Sequence, residues 1–137
     1  MLDKIMKSLA AIVAIALIGY IIFLKMPGAS ASSKEVVAEL SAAQLYDAYT
    51  NNEKTAQSNY LGKAIVISGE IYDKYEDETG SGVVLLGPGD GDPYALVTLD
   101  GGQEKKLDAL KVGNQVKIKA ICTGMLMEVT LNKGLIQ

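Results

Sequence analysis

The chain has 137 residues and a formal net charge of −3, from 13 basic and 16 acidic side chains. It contains no His, no Trp and one Cys, and all of its basic residues are Lys. These absences exclude a His general base, a His or Cys zinc site, an intrachain disulfide and a Cys–His nucleophile. They also remove Arg, the side chain best shaped to grip phosphate or guanine.

Residues 8–24, SLAAIVAIALIGYIIFL, form an uncharged apolar run. At about 1.5 Å per residue it spans roughly 25 Å, the short end of what crosses a bilayer. Ile5 to Met26 lengthens it, with Lys7 and Lys25 placed to snorkel at its edges. Lys4 and Lys7 favour an N-terminus left inside and a domain outside. Residues 1–26 are therefore expected to be a transmembrane or signal-anchor helix. The alternative is a secretory signal cleaved after Ala29-Ser30-Ala31; in either case the domain is exported. No Cys lies close after the run, so a lipidated N-terminus is not expected. Ala10, Ala14 and Gly19 are small enough to let helices pack closely in lipid, and are the candidate positions for self-association. Residues 27–40, opening PGASASSK, are expected to be a flexible linker.

Residues 41–137 are expected to form one small domain. Ser41 and Gln44 have capping-box spacing, with Leu40 and Leu45 as the flanking staple. Leu45, Ala48 and Tyr49, then Ala56 and Tyr60, recur at helical spacing up to Gly62, with an interruption at Asn51-Asn52. Period two follows. Ile65, Ile67, Gly69 and Ile71 share one face of a strand over Ala64 to Tyr72, in which Gly69 suggests a bulge or bend. Val83 to Leu86 and Ala95 to Leu99 are the next two strands, separated by the turn sequence GPGDGDP. Gln103 to Lys111 has room for one or two helical turns. Gln115 to Cys122 is a fourth strand. Met127, Val129 and Leu131 are expected on the inner face of a fifth. This order predicts a β-rich α+β fold: a five-stranded Greek-key barrel of the OB type, preceded by short helices and the N-terminal apolar helix.

The stretch Tyr49-x-x-Asn52-Glu53-x-x-Ala56-x-x-x-Tyr60-x-Gly62-Lys63 resembles the opening of the bacterial tRNA anticodon-binding-like OB-fold family of envelope proteins. Gly69-x-Ile71, Val116-x-Ile118, Cys122-Thr123-Gly124 and Val129-x-Leu131 continue the resemblance to the C-terminus. It implies the fold and an exported or anchored small protein; it does not imply RNA binding. Relatives often carry a second Cys near the position of Gly134, so the resemblance leaves Cys122 without a partner. Alternation puts Cys122 inside the barrel, as a buried thiol.

OB barrels bind on the face of their second and third strands, edged by two loops. Those loops are expected at Asp73 to Gly82 and Thr123 to Leu126. Tyr72, Tyr75 and Tyr94 lie near that face and are the candidate ligand-binding residues, by stacking. Asp73, Glu76, Asp77 and Glu78 form one acidic loop, and Asp90 and Asp92 another. A solvated surface is the preferred reading over a Ca²⁺ site, so no metal and no cofactor are expected. Asn52, Glu53 and Lys63 are expected to tie the helices to the barrel. From Ser41 onward nine Lys face thirteen Asp and Glu, which disfavours a nucleic-acid partner. The expected function is a non-enzymatic binding module of the cell envelope, recognising a protein or an envelope polymer. A pilin-like subunit assembled through its apolar helices is the alternative, and oligonucleotide binding the third.

Overall fold

The computed structural model describes residues 34–137. The apolar run with Ala10, Ala14 and Gly19, and the start of the expected linker, lie outside the described residues.

The chain becomes regular earlier than the sequence predicts. Val36–Ser41 is a strand, β1, parallel to β2 (Ala64–Glu76), with Val36 opposite Ala64 and Ser41 opposite Ser68. The expected linker therefore ends before Val36. The reason is the short alternation VVAEL: Ala38 and Leu40 pack against the core, while the strand's backbone extends the sheet beside β2. Ser41 then caps helix α1 (Ala42–Asn51). Its Oγ accepts from the Gln44 N–H at 3.1 Å and its own N–H donates to Gln44 Oε1 at 2.9 Å. Asn52 ends α1 and caps α2 (Glu53–Tyr60), accepting from the Thr55 N–H at 3.2 Å. Both caps satisfy helix-end N–H groups that would otherwise lack partners.

The remaining elements are β3 (Gly82–Leu86), β4 (Ala95–Leu99), α3 (Glu104–Ala109), β5 (Gln115–Met125) and β6 (Val129–Ile136). The sheet order is β1-β2-β3-β4-β6-β5, and β2 also pairs with β5, which closes β2, β3, β4, β6 and β5 into a barrel. This is the predicted OB arrangement, with β1 added outside. Within the barrel β2 serves two partners along its length, besides its parallel pairing with β1. Ala64 to Glu70 pair with β5, and Ile71 to Glu76 pair with β3. The exchange occurs beside Gly69, but the register shift falls between Ile71 and Asp73. Gly69 has a different task from the expected bulge. A Cβ there would lie 3.3 Å from Ala42 Cβ and 3.4 Å from Leu86 Cβ, so its bare backbone lets the first residue of α1 sit against β2.

Ile65, Ile67, Val84, Leu86, Val97, Ile118 and Leu131 are fully buried inside the barrel. Each such side chain contributes about 1.5–3 kcal/mol by leaving water. Leu45 and Tyr49 of α1 join the same core. Leu107 of α3 joins it too, and lies beside Leu99 and Gly82. Among the described residues no charged side chain is buried.

Two strands are longer than predicted, and this shortens both expected loops. β2 continues to Glu76, leaving Asp77 to Ser81 as the loop, and β5 continues to Met125, leaving residues 126–128 as the hairpin turn. Met127 is 84% exposed in that turn and does not face the core. Val129 is fixed on both sides, by pairing with Met125 and by donating to the Tyr94 carbonyl at 3.0 Å. The three residues between must close the hairpin.

Candidate functional site

The barrel strands β2, β3 and β4 have an outer face as well as an inner one. Val84 lies opposite Lys74 and Val97, and Leu86 opposite Ile71 and Ala95. Of these, Val84, Val97, Leu86, Ile71 and Ala95 belong to the core cluster. The alternate positions form two outer rows. One is Tyr75, Val83 and Thr98; the other is Asp73, Leu85 and Leu96. Val83 is only 3% exposed yet stands outside the core cluster, so it is covered from the outer side, where its cross-strand neighbours are Tyr75 and Thr98. Tyr75 itself is 44% exposed. The centre of this face is thus aliphatic and its edge aromatic, and Asp73 stands at its rim.

The loop beside this face is held by Asp77. Its Oδ1 accepts from Thr79 Oγ1 at 2.6 Å, from the Thr79 N–H at 2.9 Å and from the Ser81 N–H at 3.0 Å. The Thr79 hydroxyl, followed by the Ser81 amide, holds the Asp77 carboxyl below its ordinary range. This carboxylate is engaged in building the loop. Among the described residues no three His, Cys, Asp or Glu converge to hold a metal ion. Lys74 is engaged as well: its Nζ donates to the carbonyls of Leu107 at 2.9 Å and Asp108 at 3.3 Å, capping the C-terminal end of α3. A groove of about 180 Å³ lies between Tyr75, Glu76 and this helix end.

The three predicted tyrosines are not brought together. Tyr75 lies on the outer face. Tyr72 is half-buried at the bulge between the Ile71 and Asp73 pairs, one residue from that face. Tyr94 lies four residues before Thr98, roughly 13 Å along the strand. It packs against the core, with its ring 5.2 Å from that of Tyr46 on α1 at an interplanar angle of 42°. It holds α1 on the barrel. Leu85, Leu96 and Val83 were not predicted as site residues. Their signal was present: Val83 to Leu86 is apolar at four consecutive positions, and a strand apolar on both faces is covered on both.

The helical hairpin is attached differently from the expectation. Asn52 and Glu53 bond within the helices, Glu53 Oε1 accepting from Gln57 Nε2 at 3.3 Å, and Lys63 Nζ donates to the Ser58 carbonyl at 3.1 Å. The tie to the barrel is made by backbone and by Tyr49. Gly62 N–H donates to the Cys122 carbonyl at 2.8 Å, and Cys122 N–H to the Lys63 carbonyl at 3.1 Å. The buried Tyr49 hydroxyl meets Cys122 Sγ at 3.2 Å. Burial first, and Cys122 second, push the Tyr49 phenol far above its ordinary pKa. Cys122 is fully buried and free.

Among solved structures, the chain is similar to a lipoprotein of Klebsiella pneumoniae to which nucleic-acid binding has been provisionally ascribed. The two share 21% identity with a TM-score of 0.58, over 72% of this chain and 90% of that one. It is also similar to an OBody, AM3L09, bound to hen egg-white lysozyme, at 19% identity and a TM-score of 0.44, over 57% of this chain and 84% of that one. At these identities the likeness to the lipoprotein shows a shared fold. No curated protein matches the chain. The sequence model of the tRNA_anti-like family matches residues 3–135, nearly the whole length, and the chain belongs to that family.

Proposed function

We propose that the chain is a non-enzymatic OB-fold binding module, exported or held at a membrane by its N-terminal apolar run, that recognises a partner protein through the outer face of β2, β3 and β4. The observation that carries this is the make-up of that face: Val83, Leu85 and Leu96 at its centre, Tyr75 exposed at its edge and a carboxylate rim. An apolar centre with aromatic anchors and a polar rim is how protein-binding surfaces are built. The family match begins at residue 3 and so takes in the apolar run, and the Klebsiella relative is a lipoprotein. Both favour an envelope location. The perturbed groups Tyr49, Asp77 and Lys117 have structural partners in Cys122, Thr79 and Glu39, which favours binding over acid–base chemistry. The nucleic-acid role ascribed to the Klebsiella protein is not carried over. This chain lacks Arg, and its exported part is acidic.

The test is site-specific photo-crosslinking in intact cells, with the photoreactive residue at Tyr75 or Leu96 and, for comparison, at Lys54 on α2. Discrete protein adducts from the first two positions, absent from the third, are expected. Adducts migrating with cell-wall glycan would redirect the assignment to an envelope polymer. Salt-sensitive binding of a short single-stranded oligonucleotide, lost on Tyr75→Ala, would overturn it in favour of nucleic acid.

A further inference from the structure

One end of the barrel gathers exposed apolar side chains where the chain arrives from its N-terminal segment. Lys34 donates from Nζ to the Gly62 carbonyl at 2.7 Å, so the start of the described chain lies beside the turn between α2 and β2. Leu61, in that turn, is 44% exposed. The turn is bonded to Cys122 of β5, and a Cβ on Gly124 would stand 3.8 Å from Leu61 Cδ1. Leu61 therefore flanks the end of β5. Just beyond Gly124 comes the hairpin tip, where Leu126 is 85% and Met127 84% exposed, the highest values for large apolar side chains among the described residues. Lys34, Leu61 and Lys133 also line one shallow cavity of about 370 Å³ against the β5–β6 strands.

The sequence indicates what covers these side chains. The apolar run ends at Leu24, and residues 25–33 separate it from Lys34. Those nine residues reach at most roughly 32 Å when fully extended. A bilayer holding the run is thus within reach of the tip, and Leu and Met at a hairpin tip suit its headgroup–acyl boundary. We propose that Leu61, Leu126 and Met127 form a membrane-docking surface that enters the interfacial layer of the same bilayer that holds the N-terminal run. The occupant is lipid. Lys34, Lys63 and Lys133 stand at this end with stems able to lie along the surface and charges able to reach water. Glu35, Glu128 and the Asp90–Asp92 loop are the neighbouring acids, so apolar insertion, not charge attraction, drives docking. Salt is expected to change it little.

The inference rests on the anchoring proposed above, and the experiment separates the two. The chain has no Trp, so Leu126→Trp supplies a single tryptophan, excited selectively over the tyrosines. Val112→Trp, at a 59% exposed site just before the opposite end of β5, is the comparison. Each full-length variant is reconstituted with phosphatidylcholine vesicles carrying lipid brominated near the headgroup. The expected result is blue-shifted emission for L126W, quenched by the brominated lipid at low and high salt, with V112W unshifted and unquenched. If the protein floats with the vesicles but L126W matches V112W, anchoring stands and docking is overturned. Blue-shifted but unquenched emission from L126W also overturns it, in favour of a protein covering the tip. Failure to float overturns anchoring and docking together.

Discussion

Gly134→Ala is a sharp test of how tightly the barrel is packed. Gly134 is buried in β6 opposite Leu99 of β4, and its φ is not in the left-handed range. An alanine therefore suits the backbone, and at an open site the change would stabilise by about 0.4–1 kcal/mol through the unfolded chain. Space reverses the sign. The added Cβ would lie 2.9 Å from Val97 Cγ1, 3.1 Å from Ile118 Cγ2 and 3.1 Å from Leu99 Cδ2. Val97 and Ile118 are fully buried, and both are β-branched with stiff χ1 angles, so their methyls cannot swing aside. Overpacking of this kind costs about 1–3 kcal/mol. The net loss is then roughly 1–2 kcal/mol, a fall in urea midpoint on the order of 0.5–1 M at an unchanged slope. Gly101→Ala is the matched comparison, because nothing lies within 4 Å of its Cβ and its φ is also outside the left-handed range. Its midpoint is expected to hold or rise. Urea denaturation followed by far-ultraviolet circular dichroism measures both. A G134A midpoint at or above that of G101A would refute the packing argument. In this chain position 134 lies nearest the register shift between Lys119 and Ile121, whereas Cys122 pairs with Leu131.

Tyr49→Phe removes the contact to Cys122 but keeps the ring, and is expected to cost about 0.5–1.5 kcal/mol at neutral pH. Because the native phenol titrates well above the ordinary value of 10.0, the folded protein keeps a proton that the unfolded chain releases. That contribution is complete below pH ~10 and falls above it by up to about 1.4 kcal/mol per pH unit; denaturation at alkaline pH should show the Phe variant spared this part of the loss. Cys122, with no exposed surface, is expected to react with iodoacetamide only as fast as the protein opens; rapid alkylation under native conditions would contradict its burial. Asp77, held low by Thr79 and Ser81, stabilises its loop above the ordinary carboxylate pKa and loses that effect as pH falls through its lowered native value. NMR titration should find its carboxyl below the ordinary range, with the Thr79 and Ser81 amides moving at the same midpoint.

The elements set by local chemistry were legible in the sequence. The Ser41–Gln44 box, the break at Asn52 and the alternation of β5 depend on neighbours within a few residues, and each forms where its pattern lies. What was missed depends on distant partners. β1 exists because the β2 backbone offers an edge to Val36–Ser41, and the short VVAEL alternation becomes a strand only once that edge is present. Met127 alternates correctly for an inward strand position, but the bond from Val129 to Tyr94 and the Met125 pair turn the chain before it can pair. At the candidate site, aromatic residues drew attention for their chemistry. Only the register reveals that Tyr75 shares a face with Val83 and Thr98, whereas Tyr94 stacks on Tyr46.

The two proposed surfaces constrain one another through the barrel. α1 and α2 cover the end marked by the Tyr49–Cys122 contact, near which the chain arrives at Lys34 and the β5–β6 hairpin projects. α3 covers the other, where Leu107 meets Gly82 and Leu99 and where the Asp77 loop joins β2 to β3. Tyr75 belongs to that second end, sharing a groove with Leu107 and Asp108. A domain resting on lipid by Leu61, Leu126 and Met127 would therefore hold Tyr75 and its acidic loop away from the bilayer, facing the aqueous space. Tyr94, nearer the membrane, would be engaged with Tyr46 and so unavailable to a partner. On this arrangement docking fixes the orientation of the binding face as well as its distance from the membrane. Substituting the hairpin tip with Ser should then weaken the Tyr75 crosslinks in cells without altering the isolated domain's fold, because Leu126 and Met127 contribute almost nothing to the core. Tip variants that leave those crosslinks at full strength would show that the face works without a fixed orientation.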